Sequence, residues 1–382
     1  MHSLPRFAPL VLAAAACGSS SGGGADASAE VGLGHDAGRD AARKESGTGA
    51  RTPDAAADAR SHDGAVGDSG GDASGPTLVT LASNQRLAVG IGVNATHVYW
   101  TDTPATGNGD VVRLALGGAD DGGGPEIITA GQSYPYGLAL DTTSVYWVDA
   151  VGGTVMKAPL GGLPDGGTAT TIAAGLDTPG CAVVDGTSVY WTEGATTGSV
   201  KKAPLAGLGD GGAPVTLAAG QDYPNVLAVD ATHVYWTVSA GVGMPVGSVL
   251  KVPLDGAPDA GPTTLISAQS GPTGIAVDGD SVYWTNDGDG TVMKMPLGGV
   301  VDGGSATTLA TGQLGPLFLV VDATHAYWTN EVGNSVVKVP LAGGIPTTLA
   351  TGQGTPFFLA VDPTSVYWTN NSSNTVMRLT PK

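Results

Sequence analysis

Residues 97–102 read HVYWTD, and near-copies return six more times: SVYWVD at 144–149, SVYWTE at 188–193, HVYWTV at 233–238, SVYWTN at 281–286, HAYWTN at 325–330 and SVYWTN at 365–370. All seven tryptophans of the chain lie in this phrase, spaced 40 to 48 residues apart. A period of that length, filled with short apolar runs and Gly-rich turns, marks propeller blades rather than a helical solenoid.

Working outward, each copy offers four strands. An apolar run such as GLALD (137–141), VLAVD (226–230) or GIAVD (274–278) precedes the phrase. TVMKAPL (154–160) or SVVKVPL (335–341) follows it, and then TTIAAG (170–175) or TTLATG (307–312). Val, Tyr, Trp and Thr suit a pleated sheet, and the Gly, Pro and Asp clusters between the runs punctuate turns. The VYW strand is apolar on both faces, as a sheet packed between two neighbours requires. Six residues before the Trp stands Asp141, Asp185, Asp230, Asp278, Asp322 or Asp362, with Asn94 in the first copy. Such a side chain bonds its own backbone two residues on and closes a hairpin. Twelve residues before the Trp, six copies carry Pro: Pro135, Pro179, Pro224, Pro272, Pro316 and Pro356. Eight before it the side chain is small, from Gly92 and Ala139 to Ala360, which fits an innermost strand crowded about an axis.

The last copy ends with TVMRLTPK (375–382) and lacks the TTLA strand, whereas an orphan TLVTLAS (77–83) precedes the first copy. Pairing the two closes a ring without a free edge. The expected fold is therefore all-β: a seven-bladed β-propeller of four-stranded blades, with 77–83 completing the last blade.

The phrase VYWTD, with L-A-V-D upstream and V-M-K-x-P-L downstream, resembles the YWTD repeat of the low-density lipoprotein receptor class of β-propellers over about residues 77–382. Only residues 99–102 give YWTD in full. That class has six blades and flanking cysteine-rich modules; this chain has seven repeats and no such modules, so the resemblance implies fold and not receptor biology. It also implies where ligands sit: in the axial channel, or on the face made by the loops from fourth strand to next first strand and from second to third strand, called the top below.

The chain has 382 residues, a net charge of −18 and only 16 Lys plus Arg. That balance argues against nucleic acid, which needs a basic footprint, and against adsorption to anionic membranes. Residues 1–17, MHSLPRFAPLVLAAAAC, place Arg6 before an apolar run too short to span a bilayer, which reads as a secretory signal. The ending LAAAAC before GSSSGGG resembles a bacterial lipoprotein signal, in which the Cys, here Cys17, is lipidated; Ala14 stands where that family prefers Leu. Cleavage to a soluble secreted product is the alternative. Residues 18–76 lack Tyr, Trp, Phe, Ile and Met and are expected to be a disordered tether reaching about 40–45 Å. The expected location is the bacterial cell envelope, as an outer-membrane lipoprotein whose only membrane contact is the lipid.

Outside the Tyr-Trp pairs, the aromatic residues of the repeats fall ten to thirteen positions before a Trp, at the top rim: Tyr134, Tyr136, Tyr223, Phe318, Phe357 and Phe358. Exposed aromatics mark recognition surfaces, and Tyr134, Tyr136, Tyr223 and Phe357 are the candidate ligand-binding residues. Phe318 and Phe358 also suit a role filling the mouth of the ring. Two residues after the Trp, three successive blades carry Asp102, Asp149 and Glu193, whose oxygens would suit calcium if they converge and otherwise cap loop backbone. Each third strand carries one base (Arg113, Lys157, Lys202, Lys251, Lys294, Lys338, Arg378), either an anion-binding ring or a set of structural pairs. The DGG repeats at 121–123, 165–167, 210–212 and 302–304 read as turns on the opposite face. His97, His233 and His325 share one slot away from the top, and Cys181 lies on an inner strand, so no catalytic set is evident. The leading expectation is a non-catalytic module binding a protein, peptide or glycan. A metal-dependent hydrolase or lyase using top-face carboxylates is the second, and a purely structural envelope protein the third.

Overall fold

The computed structural model describes residues 75–382 apart from 105–107, 118–122, 166, 195–196, 210, 240–245, 258–260 and 300–304. The signal-like segment with Cys17, the linker up to residue 74 and parts of the DGG turns lie outside the described residues. Among those described there is no helix, and the strands form seven four-stranded antiparallel sheets.

Strand β1 (Thr77–Ala82) comes first. Blade 1 is β2 (Ala88–Val93), β3 (His97–Asp102), β4 (Gly109–Ala115) and β5 (Glu126–Gln132). Blade 2 is β6 (Pro135–Leu140), β7 (Ser144–Asp149), β8 (Thr154–Pro159) and β9 (Thr170–Ala174). Blade 3 is β10 (Pro179–Val184), β11 (Ser188–Glu193), β12 (Gly198–Pro204) and β13 (Val215–Gln221). Blade 4 is β14 (Pro224–Val229), β15 (His233–Val238), β16 (Gly247–Pro253) and β17 (Thr263–Gln269). Blade 5 is β18 (Pro272–Val277), β19 (Ser281–Asn286), β20 (Thr291–Pro296) and β21 (Thr307–Ala310). Blade 6 is β22 (Pro316–Val321), β23 (His325–Asn330), β24 (Ser335–Pro340) and β25 (Thr347–Ala350). Blade 7 takes β26 (Pro356–Val361), β27 (Val366–Asn370) and β28 (Thr375–Thr380) from one end of the repeat region and β1 from the other.

Each inner strand packs on the next blade's inner strand, and β26 packs on β2, so the ring is closed. All seven Trp side chains are fully buried and the preceding Tyr nearly so. Truncating one such ring in a close-packed interior costs about 3–5 kcal/mol. The inner strands begin at the recurrent Pro, whose missing N–H is tolerated at the first residue of a strand. In blade 2, Pro135 faces Asp149 and Leu138 faces Trp147, so the inner strand holds one extra residue, a β-bulge repeated in every blade. Neighbouring blades approach closely there: a Cβ on Gly109 would lie 2.5 Å from the Pro135 ring of the next blade, so only Gly fits.

The closing strand is as the sequence implies. β1 pairs antiparallel with β28, Thr77 facing Thr380 and Val79 facing Arg378, with Leu81 and Ala82 buried. Deleting residues 77–82 exposes the whole edge of β28 and is expected to cost at least about 3 kcal/mol. A thermal melt followed by circular dichroism checks this; an unchanged midpoint would show that β1 is dispensable.

Candidate functional site

Each position of the repeated phrase has its own partner. The Asp before the phrase caps the turn through one oxygen: Asp230 Oδ1 accepts from the N–H groups of Thr232 and His233. Its other oxygen accepts from the tyrosine hydroxyl, Tyr235 at 2.8 Å, and the same pair recurs as Tyr146–Asp141, Tyr190–Asp185, Tyr283–Asp278, Tyr327–Asp322 and Tyr367–Asp362. The Trp indole N–H donates to a Gln fifteen residues upstream in six blades: Gln85, Gln132, Gln221, Gln269, Gln313 and Gln353. That Gln, in the segments NQ, GQ and AQ, was legible as a constant offset but has no obvious partner until the chain is folded. In blade 3 the slot holds Leu176, and Trp191 donates to Glu193 instead.

The basic ring of the third strands is structural. Arg113, Lys157, Lys202, Lys251, Lys294 and Arg378 each donate to a leucine carbonyl in the next blade: Leu160, Leu205, Leu254, Leu297, Leu341 and Leu116. Six cations are thereby turned into blade-to-blade ties.

The candidate carboxylates stay within their own blades. Asp149 accepts from Trp147 at 3.1 Å and from Thr154, and burial pushes it up to about 6. Glu193 accepts from Trp191 and Ser199 and is ion-paired with Lys201. Asp102 faces Asp110 across β3 and β4 and lies 3.6 Å from Arg86; burial raises it, against the opposing pull of Arg86. These partners are local side chains, met because each carboxylate stands at the end of a strand beside a Trp. No group of three or more His, Cys, Asp or Glu side chains placed to hold a metal ion occurs among the described residues.

The aromatic candidates divide. Tyr134 and Tyr223 are half-buried on the top loops, and both have positive φ (61° and 48°). Tyr136 and Phe357, expected at an exposed rim, are buried instead, as are Phe318 and Phe358. Phe318 stacks on Phe358 at 4.0 Å, Phe357 meets both edge-on, and Tyr136 meets Phe358 edge-on at 5.8 Å. These rings come from blades 2, 6 and 7, and the inner strands of blades 5, 1 and 2 offer only Gly274, Gly90 and Gly137 in the slot that Phe318 and Phe358 occupy, so large rings fill the space the glycines leave. Tyr134 stacks on Tyr136 and carries the series out to the surface.

What remains exposed on the top is apolar and acidic. Val151, Val246, Leu314 and Val332 are more than half exposed, Val332 at 69%. Asp177, Asp222, Asp287 and Asp289 are exposed beside them. Glu331 is half-buried, and burial together with the charge of Asp287 raises its carboxyl. Among the described residues of the top loops Arg86 is the single cation, and it is held by Asp102 and Asp110. On the other face, His97, His233 and His325 each bond a turn threonine at 2.8 Å and are lowered by burial and then by Arg113, Lys251 and Lys338 respectively. Burial raises the Cys181 thiol, which removes its nucleophilic form.

The turn carboxylates carry a pH signature. Burial would raise Asp141, Asp185, Asp230 and Asp322, but the hydroxyl and N–H donors, with Lys382 at Asp322, outweigh it and leave all four below the usual range. A depressed folded value means stability that is full above the unfolded pKa of about 4 and is lost as pH falls through the folded values. Burial and the facing Asp raise the tyrosines, Tyr367 to about 12, so that stability is lost at alkaline pH above about 10. Asp230→Ala should cost about 1–2 kcal/mol at pH 7 and less at pH 3. Urea titrations at the two pH values check this, and an equal cost at both would contradict it.

No family model matches the chain, and no curated protein matches it. Solved structures do. Virginiamycin B lyase from Staphylococcus aureus matches over 80% of this chain and 99% of its own, with 12% identity and a TM-score of 0.62. A streptogramin B lyase structure matches over 80% and 98%, at 12% identity and a TM-score of 0.60. The computationally designed Ika8 protein matches over 81% and 100%, at 14% identity and a TM-score of 0.55. At these identities the likeness is one of fold alone: this chain is similar to seven-bladed β-propellers.

Proposed function

We propose that this chain is a secreted, lipid-anchored propeller of YWTD-type repeats that binds a protein or peptide through its top face and performs no chemistry. The observation that supports this most is the division of labour between side chains. Most bases and turn carboxylates elsewhere in the blades are consumed in ties, whereas the top loops leave Val151, Val246, Leu314 and Val332 exposed among the exposed carboxylates Asp177, Asp222, Asp287 and Asp289. Apolar side chains ringed by charge fit a recognition surface. Half-buried Tyr134 and Tyr223 add anchors of low conformational entropy, which would serve a glycan equally well. Anchoring through Cys17 to the envelope is part of the same reading, with 18–76 as the tether.

The second reading, a divalent-metal hydrolase or lyase, draws on the lyases that share the fold. Thermal shift of the full chain with calcium, magnesium and chelator separates the two. The binding reading expects no metal-dependent midpoint, and a chelator-sensitive one would favour the second. For the surface itself, peptide and glycan arrays probed with wild-type chain should yield ligands whose affinity falls about tenfold or more in Tyr134→Ala or Tyr223→Ala at unchanged melting temperature. If neither substitution alters binding of a confirmed ligand, the assignment of these residues fails. Fatty-acid labelling that disappears in Cys17→Ala tests the anchor.

A further inference from the structure

Three slots of each blade lie on the top loops: fourteen residues before the Trp, and three and four residues after it. In blade 6 they hold Leu314, Glu331 and Val332, and in blade 5 the slot three after the Trp holds Asp287. Blade geometry asks for none of these. Other blades carry Ser133 and Gly354 in the first slot, Ser239 and Asn371 in the second and Ser372 in the third. Yet Leu314 and Val332 are 61% and 69% exposed.

The loops that carry these side chains are joined through their backbones. The Gln313 N–H donates to the Gly290 carbonyl at 2.9 Å, Glu331 N–H to Gly315 at 2.8 Å and Gly333 N–H to Leu314 at 2.9 Å. Val332 lies over Gly315 and Leu314 over Gly333, at 2.8 and 3.3 Å from where a Cβ on each glycine would stand. The two apolar side chains therefore flank one loop junction as a single patch. Asp287 stands close enough for its charge to raise the Glu331 carboxyl, and neither carboxylate is met by a hydrogen bond or a cation among the described residues. Residues 272–355, which span blades 5 and 6, contain two bases only, Lys294 and Lys338. Both stand on third strands, opposite Tyr283 and Tyr327, and Lys294 is tied to the Leu341 carbonyl on the other face.

Like charges set side by side, and apolar side chains turned to water, cost stability and return none to the fold. Opposite charge together with an apolar cover recovers both costs at once. We propose that this sector of the top, Asp287 and Glu331 beside Leu314 and Val332, docks a segment of a partner protein in which Lys or Arg adjoins an aliphatic or aromatic side chain. The inference rests on the reading of the top as a binding face, and adds the partner's chemistry and the sector it meets. A guanidinium suits two neighbouring carboxylates because its planar fork can bond both. Charge complementarity selects this occupant: a chain with a net charge of −18 repels an acidic partner, a second copy of itself included.

Selection from a random dodecapeptide phage library on the full chain tests this. Recovered peptides should be rich in Lys or Arg next to Leu, Ile, Phe, Trp or Tyr. Their affinity should fall about tenfold or more in Asp287→Asn with Glu331→Gln and, separately, in Leu314→Ser with Val332→Ser, at unchanged melting temperature. It should also weaken as salt rises. Asp177→Asn with Asp222→Asn removes the same charge elsewhere on the top and should change affinity by less than about twofold. An equal loss in that control would mean diffuse attraction to an acidic surface and would overturn the proposal. Peptides without bases, or basic peptides indifferent to the substitutions in blades 5 and 6, would overturn it too. A loss of their binding in Tyr134→Ala or Tyr223→Ala would then leave the wider top-face reading standing. If the library yields no binder, the proposal fails and glycan arrays alone decide the wider reading.

Discussion

The structure depends on a single hydroxyl, that of the threonine following each Trp. It lies at the bulge of the inner strand, where one N–H has lost its ladder partner. Thr101 Oγ1 accepts that N–H from Gly90 and donates to the Tyr136 carbonyl of the next blade, both at 2.9 Å. The donation to the neighbour recurs from Thr192 to Asn225, Thr237 to Thr273, Thr285 to Leu317, Thr329 to Phe357 and Thr369 to Val89. The last of these crosses the point where the ring closes. A buried polar atom that pairs on both sides rewards one orientation of neighbouring sheets and penalises others, since each unmade bond in a dry interior costs about 1–3 kcal/mol. Blade 2 carries Val148 at this position, so its boundary with blade 3 lacks this bridge and keeps the Lys157 tie to the Leu205 carbonyl.

From that hydroxyl the rest follows outward. Inner strands held at close range leave room for glycine or small side chains on most blades, and the aromatic cluster of Tyr136, Phe318, Phe357 and Phe358 fills the remaining core on one side. Farther out, the third-strand bases reach the next blade's leucine carbonyls, and the turn Asp fixes the Tyr beneath it. Polar groups in the blades are thus largely spoken for, and the top loops keep exposed carboxylates beside apolar side chains.

Much of this was legible in the sequence. Seven Trp in constant register give the blade count, the Asp six residues earlier gives the turn, and the fragment at 77–83 supplies what the last copy lacks; β1 pairs with β28 accordingly. Direction was not legible. Offsets show that Lys157 and Asp149 recur but not that one reaches into the next blade while the other folds back on its own Trp. Tyr136 and Phe357 lie buried and not at an exposed rim for the same reason: position along an inner strand does not tell which side of the bulge a ring falls on. The constant offset of the Gln does not reveal the indole as its partner, because a bond fifteen residues long needs the fourth strand of one blade beside the second strand of the next.

The most direct test of the bridging hydroxyl is the urea-unfolding free energy of Thr237→Val in the full chain. The substitution keeps shape and removes only the oxygen, leaving the Val226 N–H and the Thr273 carbonyl without it. A loss of about 1–3 kcal/mol is predicted. Unchanged or increased stability would show that the other contacts between blades, as at Val148, suffice everywhere, and that the hydroxyl is not what sets one blade against the next.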